Sequence, residues 1–266
     1  MQLRILPPIA VLLLAACSSG SAGGGFAYAP APAPALAPTD AASLVRAMRD
    51  RYAGRWYHTV TFTQRTSRVL PNDSVVRETW YEWIAIPGRL RIQLGAAAEG
   101  RGQIYARDSI YVIRSGMALR STAGRNPLLL LGFDVYAQPP ERTLEMLRQE
   151  GFALDRFHAD TLGGRPVWVV GAGAGDLRAK QFWVEQDRLL FLRLLEPAGA
   201  DTTRIQDIRF ASYAPLGRAW IAPLVEVWAG GKRVFWEEYT NVRADVPLDS
   251  VFFQPNRWND ALQTAR

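Results

Sequence analysis

Apolar and polar residues alternate with a period of two through much of this chain, most densely between Gly164 and Glu196. Arg165 to Ala172 carries Val167, Trp168, Val169 and Val170, Gln181 to Glu185 runs polar, Phe, Trp, Val, polar, and Leu189 to Glu196 sets Leu190, Leu192 and Leu194 on one side. β-Branched and aromatic runs of this length, parted by glycine and aspartate, predict three consecutive antiparallel strands. Such a meander has one apolar face that something else must cover.

The same pattern extends in both directions. Thr39-Asp40 is a helix cap, followed by Leu44, Val45, Met48 and Tyr52 at helical spacing, with Gly54 as the stop. Trp56 to Thr66 alternates, placing Trp56, His58, Val60 and Phe62 on one face, and a turn at Pro71-Asn72-Asp73 leads into a long strand from Val75 to Ala85. After Pro87-Gly88, Leu90, Ile92 and Leu94 point inward between Arg89, Arg91 and Gln93, and shorter strands follow at Gln103 to Arg107 and Ile110 to Ser115. Asn126-Pro127 breaks the pattern. Leu128 to Leu131 and a helix from Glu141 to Gln149 form a helical insertion, either packed on the sheet or acting as an apolar lid. Strands resume at Arg204 to Tyr213, Ala219 to Trp228 and, past Gly230-Gly231-Lys232, Val234 to Val242. About a dozen strands make one extended antiparallel sheet, mainly β in class (α+β), and so long a sheet must curl round its few helices.

Composition changes the picture at the N-terminus. Arg4 gives a short positive start, Ile5 to Leu14 an apolar segment too short to span a bilayer comfortably, and Leu14-Ala15-Ala16 then precedes Cys17. This string resembles a bacterial lipobox. The resemblance implies cleavage before Cys17, a diacylglyceryl group on its thiol, and, with Ser18 next where Asp would favour inner-membrane retention, delivery to the outer membrane. Acyl chains contribute about 0.8 kcal/mol per buried CH₂, enough for two or three of them to hold a protein on a membrane. Ser18 to Pro38 is nearly all Ser, Gly, Ala and Pro, a stiff, extended tether. Residues 1–16 are thus expected as a signal peptide, 17–38 as acylated cysteine and tether, 39–258 as the folded body and 259–266 as a tail.

Cys17 is the only cysteine among 266 residues, which rules out an internal disulfide. The net charge is +6 and the isoelectric point about 9.8, but the cations are mostly Arg scattered between apolar residues. That is the pattern of solvated strand faces. It argues against nucleic-acid binding and allows a mild attraction to anionic membranes.

Catalytic constellations are thin. The two histidines, His58 and His158, lie far apart in sequence, with His158 beside Asp160. There is no Gly-x-Ser-x-Gly elbow and no metal-ligand spacing, so no enzyme, metal or cofactor is expected. Gly171-Ala172-Gly173-Ala174-Gly175 leads into a strand, not a helix, and so does not cradle phosphate. What stands out is aromatic: nine tryptophans, among them Trp56, Trp80, Trp83, Trp168, Trp183, Trp220, Trp228 and Trp236, suited to a core or to the wall of an apolar cavity.

Three further stretches carry a resemblance: Gln181-Phe182-Trp183-Val184-Glu185, Tyr213-Ala214-Pro215-Leu216-Gly217 on to Pro223, and the closing Val246-Pro247-Leu248-Asp249-Ser250-Val251-Phe252-Phe253-Gln254-Pro255. With the lipobox and the order of elements, residues 40 to 258 resemble the LolA/LolB-like outer-membrane lipoprotein-sorting superfamily. The resemblance implies an incomplete antiparallel barrel closed by helices, with a hydrophobic cavity for acyl chains of lipids or lipoproteins. An acylated Cys17 makes the chain nearer in type to an anchored receptor than to a soluble carrier. The expectation is a non-enzymatic periplasmic lipoprotein whose cavity is lined by Trp83, Leu90, Ile92, Phe182, Val184, Leu190 and Leu192, with Leu129 and Leu130 as lid. Strand parity sets this choice, and a one-residue slip would invert it. One alternative is the same fold with a filled core, an interaction or stress-sensing module for another envelope protein. A hydrolase built on His158 and Asp160 is the other.

Overall fold

The computed structural model describes residues 37–199 and 201–264. The expected leader, Cys17 and nearly all of the tether lie outside the described residues.

A helix α1 (Ala41–Arg51) opens the body, and six strands follow: β1 (Thr59–Val69), β2 (Val75–Ala85), β3 (Arg89–Leu94), β4 (Gly102–Ala106), β5 (Ser109–Arg114) and β6 (Met117–Ala123). Two helices, α2 (Pro127–Gly132) and α3 (Pro140–Gln149), precede β7 (Phe157–Leu162), β8 (Arg165–Val170), β9 (Gln181–Glu185), β10 (Phe191–Ala198) and β11 (Asp201–Ala211). A small ribbon, β12 (Ala214–Leu216) and β13 (Ala219–Ile221), is followed by β14 (Leu224–Ala229), β15 (Lys232–Ala244) and a terminal helix α4 (Trp258–Thr264).

Thirteen of these strands form one antiparallel sheet in the order β6-β5-β4-β3-β2-β1-β15-β14-β11-β10-β9-β8-β7. The class is the one expected: mainly β, open at both edges, an incomplete barrel. The chain starts at the middle of the sheet, meanders out to the β6 edge, re-enters at the β7 edge and meanders back until β15 pairs with β1, Val60 opposite Ala244. Helices α2 and α3 make up the connection between the two edges, so the insertion has to pass across one face of the sheet.

That helix-bearing face, the concave one, holds the main core. Asp40 caps α1, accepting from the Ser43 amide at 2.7 Å, and Ala41, Leu44, Val45 and Met48 on its inner side are at most 2% exposed. They meet Leu130, Leu131, Leu147, Phe182, Val184 and Phe210 in one cluster. Truncating any of the larger side chains to alanine would cost about 2–5 kcal/mol. Trp56 stacks on Tyr136 at 3.9 Å, and the Tyr136 hydroxyl accepts from the Phe191 amide at 2.8 Å while Tyr213 donates to the Phe191 carbonyl at 2.7 Å. The two phenols thus satisfy backbone groups at a β-bulge between Phe191 and Arg193.

Several expectations change here. The alternation expected in β3 assumed that Arg89, Arg91 and Gln93 face solvent, but Arg91 is fully buried and Gln93 nearly so. The opposite, convex face is covered there by the C-terminal segment, and Arg91 donates to the Phe252 and Trp258 carbonyls at 3.4 and 3.1 Å with Trp258 3.5 Å from its guanidinium. The expected tail therefore begins as helix α4, anchored by Trp258 at 1% exposure. His58 lies exposed ahead of β1 instead of inside it. Pro223 splits the expected strand from Ala219 to Trp228 into β13 and β14, because proline brings no amide to a ladder. Edge strands β6 and β7 carry weak alternation and were not expected.

Candidate ligand-binding site

Of the residues expected to line a cavity, Leu90, Phe182, Val184 and Leu190 are buried on the concave face against the helices, and Ile92 is half-buried beside them. Leu129 and Leu130 sit in the same cluster, at 4% and 1% exposure. Trp83 and Leu192 point to the convex face. Trp83 pairs with Arg91 across β2 and β3 and packs on Phe252, at the wall of a groove of about 650 Å³ shared with Thr61, Arg243, Pro247 and Leu248. Leu192 joins Val167, Val169 and Trp183, because the bulge next to it shifts the alternation by one residue.

The helices do not cover the concave face evenly. They close the end nearest Val60, Ile84 and Leu90. Toward the other end of β1, β2 and β15 the positions on this face are only half-buried: Val76, Trp80, Phe235 and Tyr239, with Val227 on the neighbouring β14, Phe62 stacked on Tyr239 at 4.0 Å and Trp80 6.1 Å from Phe235. These side chains form a mostly apolar rim open to solvent, with the exposed Arg68 set between Val76 and Phe235.

Its floor is polar. The register sets Glu82 opposite Phe62, Gln64 opposite both Trp80 and Tyr239, and Thr66 opposite Glu237, so Gln64 lies diagonally between Glu82 on one neighbouring strand and Glu237 on the other. Gln64 is fully buried, Thr66 3% exposed and Glu82 7% exposed. The Gln64 amide nitrogen donates to Thr66 Oγ1 at 2.8 Å, and Tyr239 donates to Glu237 at 2.8 Å. Gln64 Oε1 has no hydrogen-bond partner, and among the described residues neither Glu82 nor Glu237 has a basic one. Burial, and then the neighbouring Glu237, push the Glu82 carboxyl well above its ordinary range. Burial pushes Glu237 up to about 7 against the opposing hydrogen bonds from Tyr239 and Gln64.

A second buried acid ties the helical insertion to the sheet. Asp134, just after α2, accepts the Gly88 amide at 3.0 and 3.1 Å, and burial raises its carboxyl to about 7. Beside it lies a void of about 20 Å³ lined by Leu129, Leu130, Tyr105 and Met146, room for a single water.

His158 and Asp160 stand 3.8 Å apart on edge strand β7, away from His58, and among the described residues no three potential metal ligands cluster. Nor is any described helix long and apolar enough to cross a membrane. Sequence reasoning missed the acidic floor, although a signal was present: Gln64, Glu82 and Glu237 occupy positions whose neighbours two residues away, Phe62, Ile84 and Phe235, face inward.

No family model matches the chain, and no curated protein matches its sequence. Solved structures do. A DUF1329 family protein from Desulfovibrio piger shares 13% identity over 82% of this chain and 97% of that one, with a TM-score of 0.54. A LolA superfamily protein from Nitrosomonas europaea shares 12% identity over 82% and 98%, with a TM-score of 0.48. At such identities the likeness is one of fold. The incomplete antiparallel barrel expected from the sequence is the architecture found.

Proposed function

We propose that this protein is a membrane-anchored periplasmic lipoprotein that binds, without catalysis, the acyl chain of a lipid or acylated protein on the open half of its concave face, in the service of sorting or transport in the outer membrane. The observation that carries the reading is the rim of Val76, Trp80, Val227, Phe235 and Tyr239, left half-exposed on the face that elsewhere buries its apolar residues under helices. A chain laid along this rim would remove apolar area from water at about 25 cal/mol per Å². Among the expected cavity residues, Ile92 borders the rim, while Leu90, Phe182, Val184 and Leu190 support it from the packed core. Leu129 and Leu130 act as lid only if α2 moves, and the Asp134–Gly88 hydrogen bonds are what would have to break. Cys17, acylated, holds the tethered body at the periplasmic side of the outer membrane.

The test is native mass spectrometry of the full chain extracted from membranes, together with uptake of a pyrene-labelled fatty acid. Bound lipid, and uptake weakened by Phe235→Glu, is the expected result. A chain that carries no lipid and takes up no probe refutes the proposal and leaves the filled-core interaction module.

A further inference from the structure

The floor beneath the apolar rim consists almost wholly of acceptors. The Glu82 and Glu237 carboxyls flank Gln64 on adjacent strands of one face; among the described residues the Tyr239 hydroxyl is given to Glu237 and the Gln64 amide nitrogen to Thr66, whose own hydroxyl sits opposite Glu237, while no donor reaches Glu82. Gln64 Oε1 is fully buried with no donor to satisfy it. Glu82, itself more than nine-tenths buried, accepts no hydrogen bond from a described residue and pairs with no cation. Of the basic side chains near this face, Arg101 is engaged on Glu78 and Glu99, and Arg68, opposite Val76 and Phe235, is exposed and forms no ion pair with either carboxyl. Burying acceptors and carboxylates unpaired is costly, and native structures pair them with donors or cations.

The geometry points to a recognition site for a primary ammonium group, the head of the bound amphiphile, held between Glu82, Glu237 and Gln64 Oε1. Three N–H donors on one positive centre answer three acceptors on three adjacent strands, and a group of that size fits a floor ringed by Phe62, Trp80 and Tyr239. Aromatic faces beside a cation add to the attraction. The chain of the ligand would lie along the rim, so the inference rests on the proposed function and specifies its ligand as an amphiphile with a free amine, not an anionic or neutral head.

The test uses ligands with one chain and different heads. Dodecylamine, dodecanol, dodecanoate and dodecyltrimethylammonium are each titrated against the full chain in a non-ionic detergent, with displacement of the pyrene-labelled fatty acid as readout. Two charge-assisted hydrogen bonds predict that dodecylamine binds about tenfold or more tightly than dodecanol, and dodecanoate weakest. In Glu82→Gln/Glu237→Gln the ratio of amine to alcohol affinity collapses toward one. Dodecyltrimethylammonium, which has the charge but no N–H, falls below dodecylamine in the native chain, a comparison that needs no variant to fold. Equal binding of amine and alcohol, an amine preference that survives the double substitution, or equal binding of the two cations overturns the inference while leaving the acyl-chain reading intact. Failure of every probe, dodecanol included, overturns both.

Discussion

Replacing Asp134 with asparagine should flatten part of the dependence of stability on pH. In the folded chain Asp134 keeps its proton to about pH 7, because burial leaves its charge facing a single amide, that of Gly88. Unfolded, the same carboxyl loses the proton near 3.8. Protonation therefore favours the folded state: the contribution is whole below pH 3.8 and is lost as the pH rises through about 7. The interval between the two values, at about 1.4 kcal/mol per pH unit, amounts to about 4 kcal/mol, an order of magnitude that relaxation round the charge would reduce. The asparagine side chain keeps an oxygen for the Gly88 amide and never ionises. Denaturant unfolding of the native chain and of Asp134→Asn at pH 4, 5, 6, 7 and 8 measures the difference directly. The two should agree within about 1 kcal/mol at pH 4, and the variant should be ahead by about 2–4 kcal/mol at pH 8. Glu82 and Glu237 shift in the same direction, but their slope is common to both proteins and cancels. A difference that stays constant from pH 4 to 8 would refute the assignment of a buried, nearly neutral acid to this position.

Trp258→Ala should destabilise by about 3–5 kcal/mol in the same assay, since it empties a buried site and strips Arg91 of its stacking partner, whereas Arg91→Met should be neutral or stabilising because no carboxylate of the described residues pairs with that guanidinium. Tyr136→Phe leaves the Phe191 amide without its acceptor and should cost about 1–3 kcal/mol, seen as a lower midpoint with unchanged denaturant slope. Cys17→Ser should abolish incorporation of labelled palmitate and release the protein from membrane fractions, which fractionation and metabolic labelling will show.

How far the fold could be read from the sequence depended on what each residue type does locally. β2 was legible to its last residue, Val75 to Ala85, because long alternation ends at turn residues on both sides, Asp73 and Pro87-Gly88. Leu190 and Leu192 look alike in sequence yet lie on opposite faces, since a bulge is a backbone event with no composition of its own. Arg91 was misjudged for another reason. Its burial depends on a segment some 160 residues later, and arginine in a strand ordinarily marks the solvated side.

The acidic floor makes the same point from the opposite side. Parity put Gln64, Glu82 and Glu237 among inward positions, and a core that obeyed only packing would carry valine or leucine there, at lower cost in solvation. On the stretch of this face that the crossing helices leave uncovered, the polar residues Gln64, Thr66, Glu78, Glu82 and Glu237 gather where the pattern calls for apolar ones. Local rules that fail together in one uncovered place are better accounted for by a ligand than by the fold. On this argument the polar triplet and the half-exposed aromatic rim belong to one site, the first reading the head of a guest and the second its chain.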